Sequence, residues 1–229
     1  LEIKPEKKLG IVGLNGSGKT TLIKLILRLY KPTEGKIMLG GIDIWEIPYS
    51  QYSKYLGVVL QDFALFAYSV RENLVFDGEY NEKKLYDSIE KSGLREKTAS
   101  LPNGIDTSIY RDLDDKGIEF SGGEGQKLAM ARAIYRDAAI LILDEPSSAL
   151  DAIAEYELFS RLGETAKGKT TIFISHRLSS TLFCDSIAVI DKGSVIEQGS
   201  HTELIEKNGF YAELYHSQSK YYEDKEATA

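Results

Sequence analysis

The run Gly13-Leu14-Asn15-Gly16-Ser17-Gly18-Lys19-Thr20 limits what this chain can fold into more than any other feature. It matches G-x-x-x-x-G-K-[ST], and its flanks supply the context that gives the pattern meaning. Upstream, Leu9-Gly10-Ile11-Val12 is a short apolar run that reads as a buried strand. Downstream, Leu22, Ile23, Ile26, Leu27 and Tyr30 recur at helical spacing, predicting a helix over 19–30 closed by Pro32 and Gly35. A glycine-rich turn between strand and helix lets backbone N–H groups converge on phosphate oxygens, beside the positive end of the helix. The expected cradle is Asn15, Gly16, Ser17, Gly18 and Thr21, with Lys19 as a point charge and the Thr20 hydroxyl as a Mg²⁺ ligand.

The rest of the chain carries the same βα rhythm with an interruption. "KIMLGGIDIW" reads as a hairpin turning on Gly40-Gly41, and "YLGVVLQD" as a strand ending at Gln61. From 62 to 118 the pattern is short helices and loops, including a helix capped by Asn81 and stopped at Gly93. From 138 the rhythm returns. "AAILILDEP" is a strand buried on both faces, 153–163 is helical, and "KTTIFISH" is a strand. "SIAVIDKGSVIEQG" is a hairpin turning at Lys192-Gly193, followed by a helix over 202–216 and a polar tail. Strands and helices flanking a helical insert imply one α/β domain with a helical subdomain.

"ILILDE" puts Asp144 and Glu145 at the end of a buried strand, the edge where open α/β sheets bind ligands. There Asp144 would hold Mg²⁺ through water and Glu145 would orient or deprotonate a water; the bland alternative is a carboxylate pair capping the next helix. His176 and Gln61, each at a strand end, are by themselves more often structural than catalytic. A second glycine-rich helix start, Ser121-Gly122-Gly123-Glu124, has the pattern of a capping box. A cap needs neither glycine, and two glycines inside a helix cost stability unless a backbone or phosphate must approach closely.

Composition narrows the classes. The 229 residues suffice for a sizeable core, and a net charge of −7 with a pI near 5.2 argues against a general nucleic-acid binder. One cysteine, Cys184, excludes an intramolecular disulfide and suits a reducing cytosol. The longest apolar run, Ala138 to Leu143, is too short to cross a bilayer, and no signal peptide is visible. The start at Leu1, almost directly into a strand, suggests a segment of something longer.

Together these pieces resemble the nucleotide-binding domain of an ABC transporter over essentially the whole chain. "GLNGSGKT" resembles the Walker A motif, Gln61 in "VVLQD" the Q-loop glutamine, and "SGGEG" the signature. "ILILDE" resembles the Walker B motif, "SSALD" at 147–151 the D-loop, and His176 in "ISHR" the switch histidine. The resemblance implies a P-loop NTPase core over 1–61 and 135–229, with a mostly parallel sheet and the N-terminal antiparallel strands largely missing. A helical subdomain with the signature motif would cover 62–134.

The resemblance also implies ATP, Mg²⁺ and a head-to-tail dimer with a second nucleotide-binding domain, identical or different. Each ATP would lie between one P-loop and the partner's signature helix, so Ser121, Gly122, Gly123 and Glu124 would face a partner's γ-phosphate. Glu145 would be the catalytic base, His176 would contact the γ-phosphate, and Gln61 would sense Mg²⁺ and the attacking water. The metal set would be Thr20, Gln61 and Asp144, and Asp151 would communicate across the dimer.

"DFALFAYSVREN" resembles the exporter class, which implies a membrane domain fused N-terminally and a place on the cytoplasmic face of the cell membrane, with no nucleic-acid partner. The alternative is a soluble ABC-type ATPase not coupled to a membrane domain, which the acidic charge and the 62–118 region oppose. A regulatory module that binds nucleotide without turnover is opposed by Glu145.

Three features depart from the family pattern. Asp114 and Asp115 replace the glycine and glutamate expected in the X-loop, and Glu124 replaces the signature glutamine. No aromatic residue for stacking adenine precedes Gly13.

Overall fold

The structure is a computed structural model, and it describes residues 1–76, 79–147, 150 and 152–226. Strand β1 (Lys8–Val12) lies between two parallel neighbours, β6 (Thr170–Ile174) and β7 (Ser186–Asp191). Both of its faces are covered, so its sequence is a continuous apolar run without alternation, buried from Leu9 to Val12. The six-stranded sheet follows the order β4 (Leu56–Val59), β5 (Ile140–Asp144), β6, β1, β7 and β8 (Ser194–Gly199), with β8 antiparallel to β7. A separate two-stranded ribbon, β2 (Met38–Leu39) and β3 (Ile42–Asp43), turns on Gly40 and Gly41 as expected, both at positive φ.

The chain divides into two compact units. The first comprises Leu1–Leu56, Ile142–Glu145 and Gly168–Ala229. Helix α1 (Lys19–Ile26) is shorter than its sequence pattern predicts. Arg28 adopts φ 59, and the N–H groups of Leu29 and Tyr30 both turn back to the Lys24 carbonyl, which ends the helix one turn early. That unwinding lets Arg28 donate to the Ile47 carbonyl at 2.7 Å and place its guanidinium 4.7 Å from the Trp45 ring. The short helix α2 (Tyr49–Tyr52) follows, with the Tyr52 hydroxyl bonded to the Ile26 carbonyl.

At the far end, the single helix expected over 202–216 is two helices, α8 (His201–Glu206) and α9 (Phe210–Glu226). Asn208 at φ 50 breaks the chain between them, and α9 continues through most of the segment that reads as a polar tail. Glu197 of β8 fixes the new start: its carboxylate accepts from the Phe210 and Tyr211 N–H groups at 2.8 and 3.0 Å. Val12, Leu178, Ile187, Val189, Leu204 and Tyr211 form the core beneath both helices.

The second unit comprises Gly57–Leu141 and Pro146–Lys167. It holds α3 (Val70–Leu74), α4 (Glu82–Ser92), α5 (Arg95–Ser100), α6 (Gly122–Arg136) and α7 (Ala152–Thr165). Asn81 caps α4 through the Lys84 N–H and Gly93 ends it at φ 75, as the sequence predicts. Leu85, Ile89, Leu94, Leu128 and Ala131 are the centre of its core. Among the described residues no helix is long and apolar enough to cross a membrane.

Candidate functional site

The glycine-rich loop runs from the end of β1 into α1, and the β7–β8 hairpin backs it. A Cβ on Gly13 would collide with the Ile190 carbonyl oxygen, so only glycine lets the chain leave β1 this close to β7. Gly193, at the hairpin turn with φ 80, donates its N–H to the Ser17 carbonyl at 2.8 Å and lies against Gly18. Gly18 itself sits at φ 111 as the residue before α1, and no side chain caps the helix there. The uncapped N-terminus leaves N–H groups directed at whatever anion the loop encloses.

Lys19 is 7% exposed and folds back to donate to the Gly13 and Leu14 carbonyls at 2.7 and 3.0 Å. Burial pushes its ammonium below the ordinary value, and the nearby carboxylates of Glu145 and Asp144 oppose that shift. The Ser17 hydroxyl is buried with no hydrogen-bond partner. Such an orphan is costly in a finished core and is accounted for by a polar ligand in the loop. Thr20 and Thr21 are exposed at the start of α1. A phosphate chain fits this donor set.

Asp144 closes β5 and is 5% exposed. Glu145 follows at φ 50, a left-handed conformation that is uncommon for a residue with a Cβ and that clusters at functional sites. Its N–H is held by the Ile174 carbonyl at 2.9 Å, and its carboxylate Oε2 lies 3.1 Å from His176 Nδ1. His176 is two residues past the end of β6, not its last residue as expected; its side chain is 49% exposed. Ser175 is buried between them and fastens the loop: it accepts from the Arg177 N–H and donates to the Arg177 carbonyl. The first unit therefore brings together the loop from Asn15 to Thr21, Asp144, Glu145 and His176.

The remaining candidates among the described residues lie in the second unit. β4 ends at Val59, so Gln61 is in the loop beyond it and is exposed. That loop is tied to α6 in two places. Phe63 and Leu65 lie where a Cβ on Gly125 would meet them, and Arg132 donates to the Ala64 and Asn73 carbonyls at 3.2 and 2.7 Å. Asn73, fully buried, holds Phe66 through both its main-chain groups. At the head of α6 the capping box is present. Ser121 accepts from the Glu124 N–H at 3.3 Å, while Glu124 Oε2 accepts from the Ser121 N–H at 2.8 Å. The other Glu124 oxygen pairs with Lys97 at 2.9 Å. Burial pushes the Glu124 carboxyl up, but Lys97 and the Ser121 N–H outweigh it and hold the group below its ordinary value. Ser121 and Gly122 are exposed, so the first turn of α6 is open to solvent. Asp151 lies outside the described residues.

An ABC transporter family model matches residues 1–148. The chain belongs to the ABC transporter family. Over 217 residues it is 38% identical to the Bacillus subtilis protein named probable multidrug resistance ABC transporter ATP-binding/permease protein YheI, aligning 94% of this chain and 36% of that protein. An ATP-dependent lipid A-core flippase of Bordetella avium is 38% identical over 218 residues, again covering 94% of this chain and 36% of the relative. A solved structure described as a bacterial Atm1-family ABC exporter with ATP bound superimposes with a TM-score of 0.88 at 34% identity. It covers 95% of this chain and 38% of that one. The chain thus spans about a third of the length of these ABC relatives. The mixed α/β architecture with a mostly parallel sheet and helices, expected from the motifs, is the fold of an ABC exporter's nucleotide-binding domain.

Two features of this ABC domain escape motif reading. Gly193 supports the glycine-rich loop from a hairpin turn more than 170 residues away in sequence. Gln218, on α9, reaches the main chain of the His176 loop. The only signal for the second is a glutamine on the apolar stripe formed by Tyr211 and Leu214.

Proposed function

We propose that this domain binds and hydrolyses ATP as the motor of a membrane exporter, pairing head to tail with a second such domain. The arrangement of Lys19, Asp144, Glu145 and His176 around the glycine-rich loop carries the reading. ATP would lie with its phosphates in the loop, where Ser17, the α1 N-terminus and Lys19 would bind oxygens that they otherwise satisfy only in part. The oxygens of Thr20 and Asp144 suit a hard cation that keeps several waters, Gln61 would join them as the family resemblance implies, and Mg²⁺ held so would neutralise phosphate charge. Glu145 would accept the proton of the attacking water. His176, oriented by Glu145, would contact the γ-phosphate.

The open first turn of α6 would receive the γ-phosphate of the partner's ATP, with Glu124 turned back into its own cap. Asp151 would communicate between the two sites. The exposed aromatics Phe66, Tyr68 and Phe76, beside Gln61's loop, would meet the membrane domain and couple it to Gln61. The division into a core over 1–61 and 135–229 and a signature subdomain over 62–134 follows from the same reading, as does a location on the cytoplasmic face of a membrane. The names of the relatives, a multidrug transporter and a lipid A-core flippase, favour an exporter over a soluble ATPase.

Glu145→Gln keeps the shape of the site and removes the base. In the full-length protein it should lower ATP turnover by about a hundredfold or more while nucleotide binding persists. Dimers should accumulate in the presence of ATP. Equal turnover of the wild type and the variant would overturn the assignment.

A further inference from the structure

Helix α9 has a series of anchors that end at the His176 loop. Its first turn is held by Glu197, whose carboxylate occupies the space that a Cβ on Gly209 would fill. Tyr211, fully buried, shares its hydroxyl with Thr181 Oγ1 at 2.9 Å and His201 Nδ1 at 2.8 Å. Leu214, one turn on, packs on the core that contains Leu178 and Val12. Tyr211, Leu214 and Gln218 are spaced at i, i+3 and i+7, so one stripe of the helix faces inward. At the third position the residue is an amide.

Gln218 uses both ends of that amide on the same loop. Its Nε2 donates to the His176 carbonyl at 2.6 Å, and its Oε1 accepts from the Leu178 N–H at 2.9 Å. Between β6 and the following turn the loop has no strand partner to set its path, and the His176 side chain is half exposed. The main chain on either side of Arg177 is therefore fixed by Ser175 from within and by Gln218 from α9. A cavity of about 220 Å³ at this loop is lined by Gly13, Leu14 and Asn15 of the glycine-rich loop and by His176, Leu178 and Gln218.

We propose that Gln218 is a positioning residue for hydrolysis: through a two-point amide clamp, α9 sets where His176 sits relative to Glu145 and the phosphate loop. The inference rests on the reading of His176 as a group that contacts the γ-phosphate. The clamp bonds only the His176 and Leu178 main chain and gives no hydrogen bond to the glycine-rich loop, so its loss lowers turnover and spares nucleotide affinity. Because it is a single side chain on α9, anything that lifts this helix from Glu197, Thr181 and His201 slows the motor without touching the site.

The test compares Gln218→Ala and Gln218→Glu with Ser217→Ala in the full-length protein. The glutamate retains the size and the acceptor but has no N–H for the His176 carbonyl. Ser217, exposed and bonded to the Glu213 carbonyl in its own helix, is the control. Both Gln218 variants should lose about fivefold to tenfold in kcat, as expected for a lost hydrogen bond in the transition state, with KM for ATP within about twofold of wild type. Ser217→Ala should match the wild type, and all three should share one thermal midpoint without nucleotide. Wild-type kcat in both Gln218 variants, or a kcat loss accompanied by a fall in thermal midpoint, overturns the proposal. Glu145→Gln and His176→Ala are run alongside. If these two still hydrolyse ATP normally, the functional reading fails; if they are dead and the Gln218 variants are normal, only the clamp fails.

Discussion

Lys19 and Glu145 show how much of the site depends on residues held at a cost. Lys19 is an ammonium kept from water, with two backbone carbonyls for partners and a lowered pKa. A lysine whose pKa is lower folded than unfolded binds its proton less tightly in the native state. It therefore weakens the fold at neutral pH, and the deficit fades as pH rises through the lowered value toward 10.5. Replacing it with methionine should leave the nucleotide-free thermal midpoint within about 2 °C, because lost desolvation and lost hydrogen bonds offset each other. ATP with Mg²⁺ should raise the midpoint of the wild type, and the same variant should lose that rise. Both are read in one pair of thermal melts. Lys19 was legible from its motif, since type and spacing specify it. The strain at Glu145 was not, because nothing in "LDEP" says that the glutamate takes φ 50.

Among the described helices, three begin the same way. Ser69 with Glu72, Ser121 with Glu124 and Ser200 with Glu203 each form a reciprocal capping box, at the starts of α3, α6 and α8. The Ser69 hydroxyl lowers Glu72, the Ser200 N–H lowers Glu203, and Lys97 with Ser121 overcome burial at Glu124. A carboxyl lowered in the fold contributes stability above its unfolded value near 4.5, which is lost as pH falls through the folded value. Amide exchange in the first turns of these three helices should accelerate together as pH drops below that value, relative to α4, whose cap is the neutral Asn81. Ser69→Ala and Ser121→Ala should each cost about 1 kcal/mol in denaturant melts. The S-x-x-E pattern can be read at all three places, but it marks a helix start only where an apolar face follows. The early end of α1 could not be read, because Arg28 is not a residue that favours left-handed φ; the break before α9 is marked by Asn208-Gly209, a turn dipeptide that the helix expected over 202–216 runs across.

At the scale of the whole molecule, the α/β class and the places of the long strands along the chain were visible in the sequence, because burial on two faces leaves unbroken apolar runs, whereas their order in the sheet was not. Connections that depend on distant pairs were not, such as the clamp from Gln218 and the bond from Gly193. The one cysteine offers a probe of the assembled fold. Cys184 packs against the core of Val12 and Tyr211, its sulfur lies where a Cβ on Gly10 would crowd it, and burial pushes its pKa up to about 12. Maleimide labelling near neutral pH should run about a thousandfold slower than for a free thiol, since the thiolate is the reactive form. Labelling should accelerate along the denaturant transition, and fast labelling of the native protein would contradict this packing.

The turn at Lys192-Gly193 has a practical side for protein engineering. Tight hairpin tips at the surface are where a chain ordinarily accepts an epitope tag, a fluorophore or a circular-permutation break. In this protein the tip is also a strut, since the Gly193 N–H holds the Ser17 carbonyl and its Cα abuts Gly18. An insertion there would leave the strands β7 and β8 paired and the chain folded, yet would take away the prop behind the glycine-rich loop proposed to hold phosphate. The place that looks safest to cut is one where a well-folded variant would come back inactive.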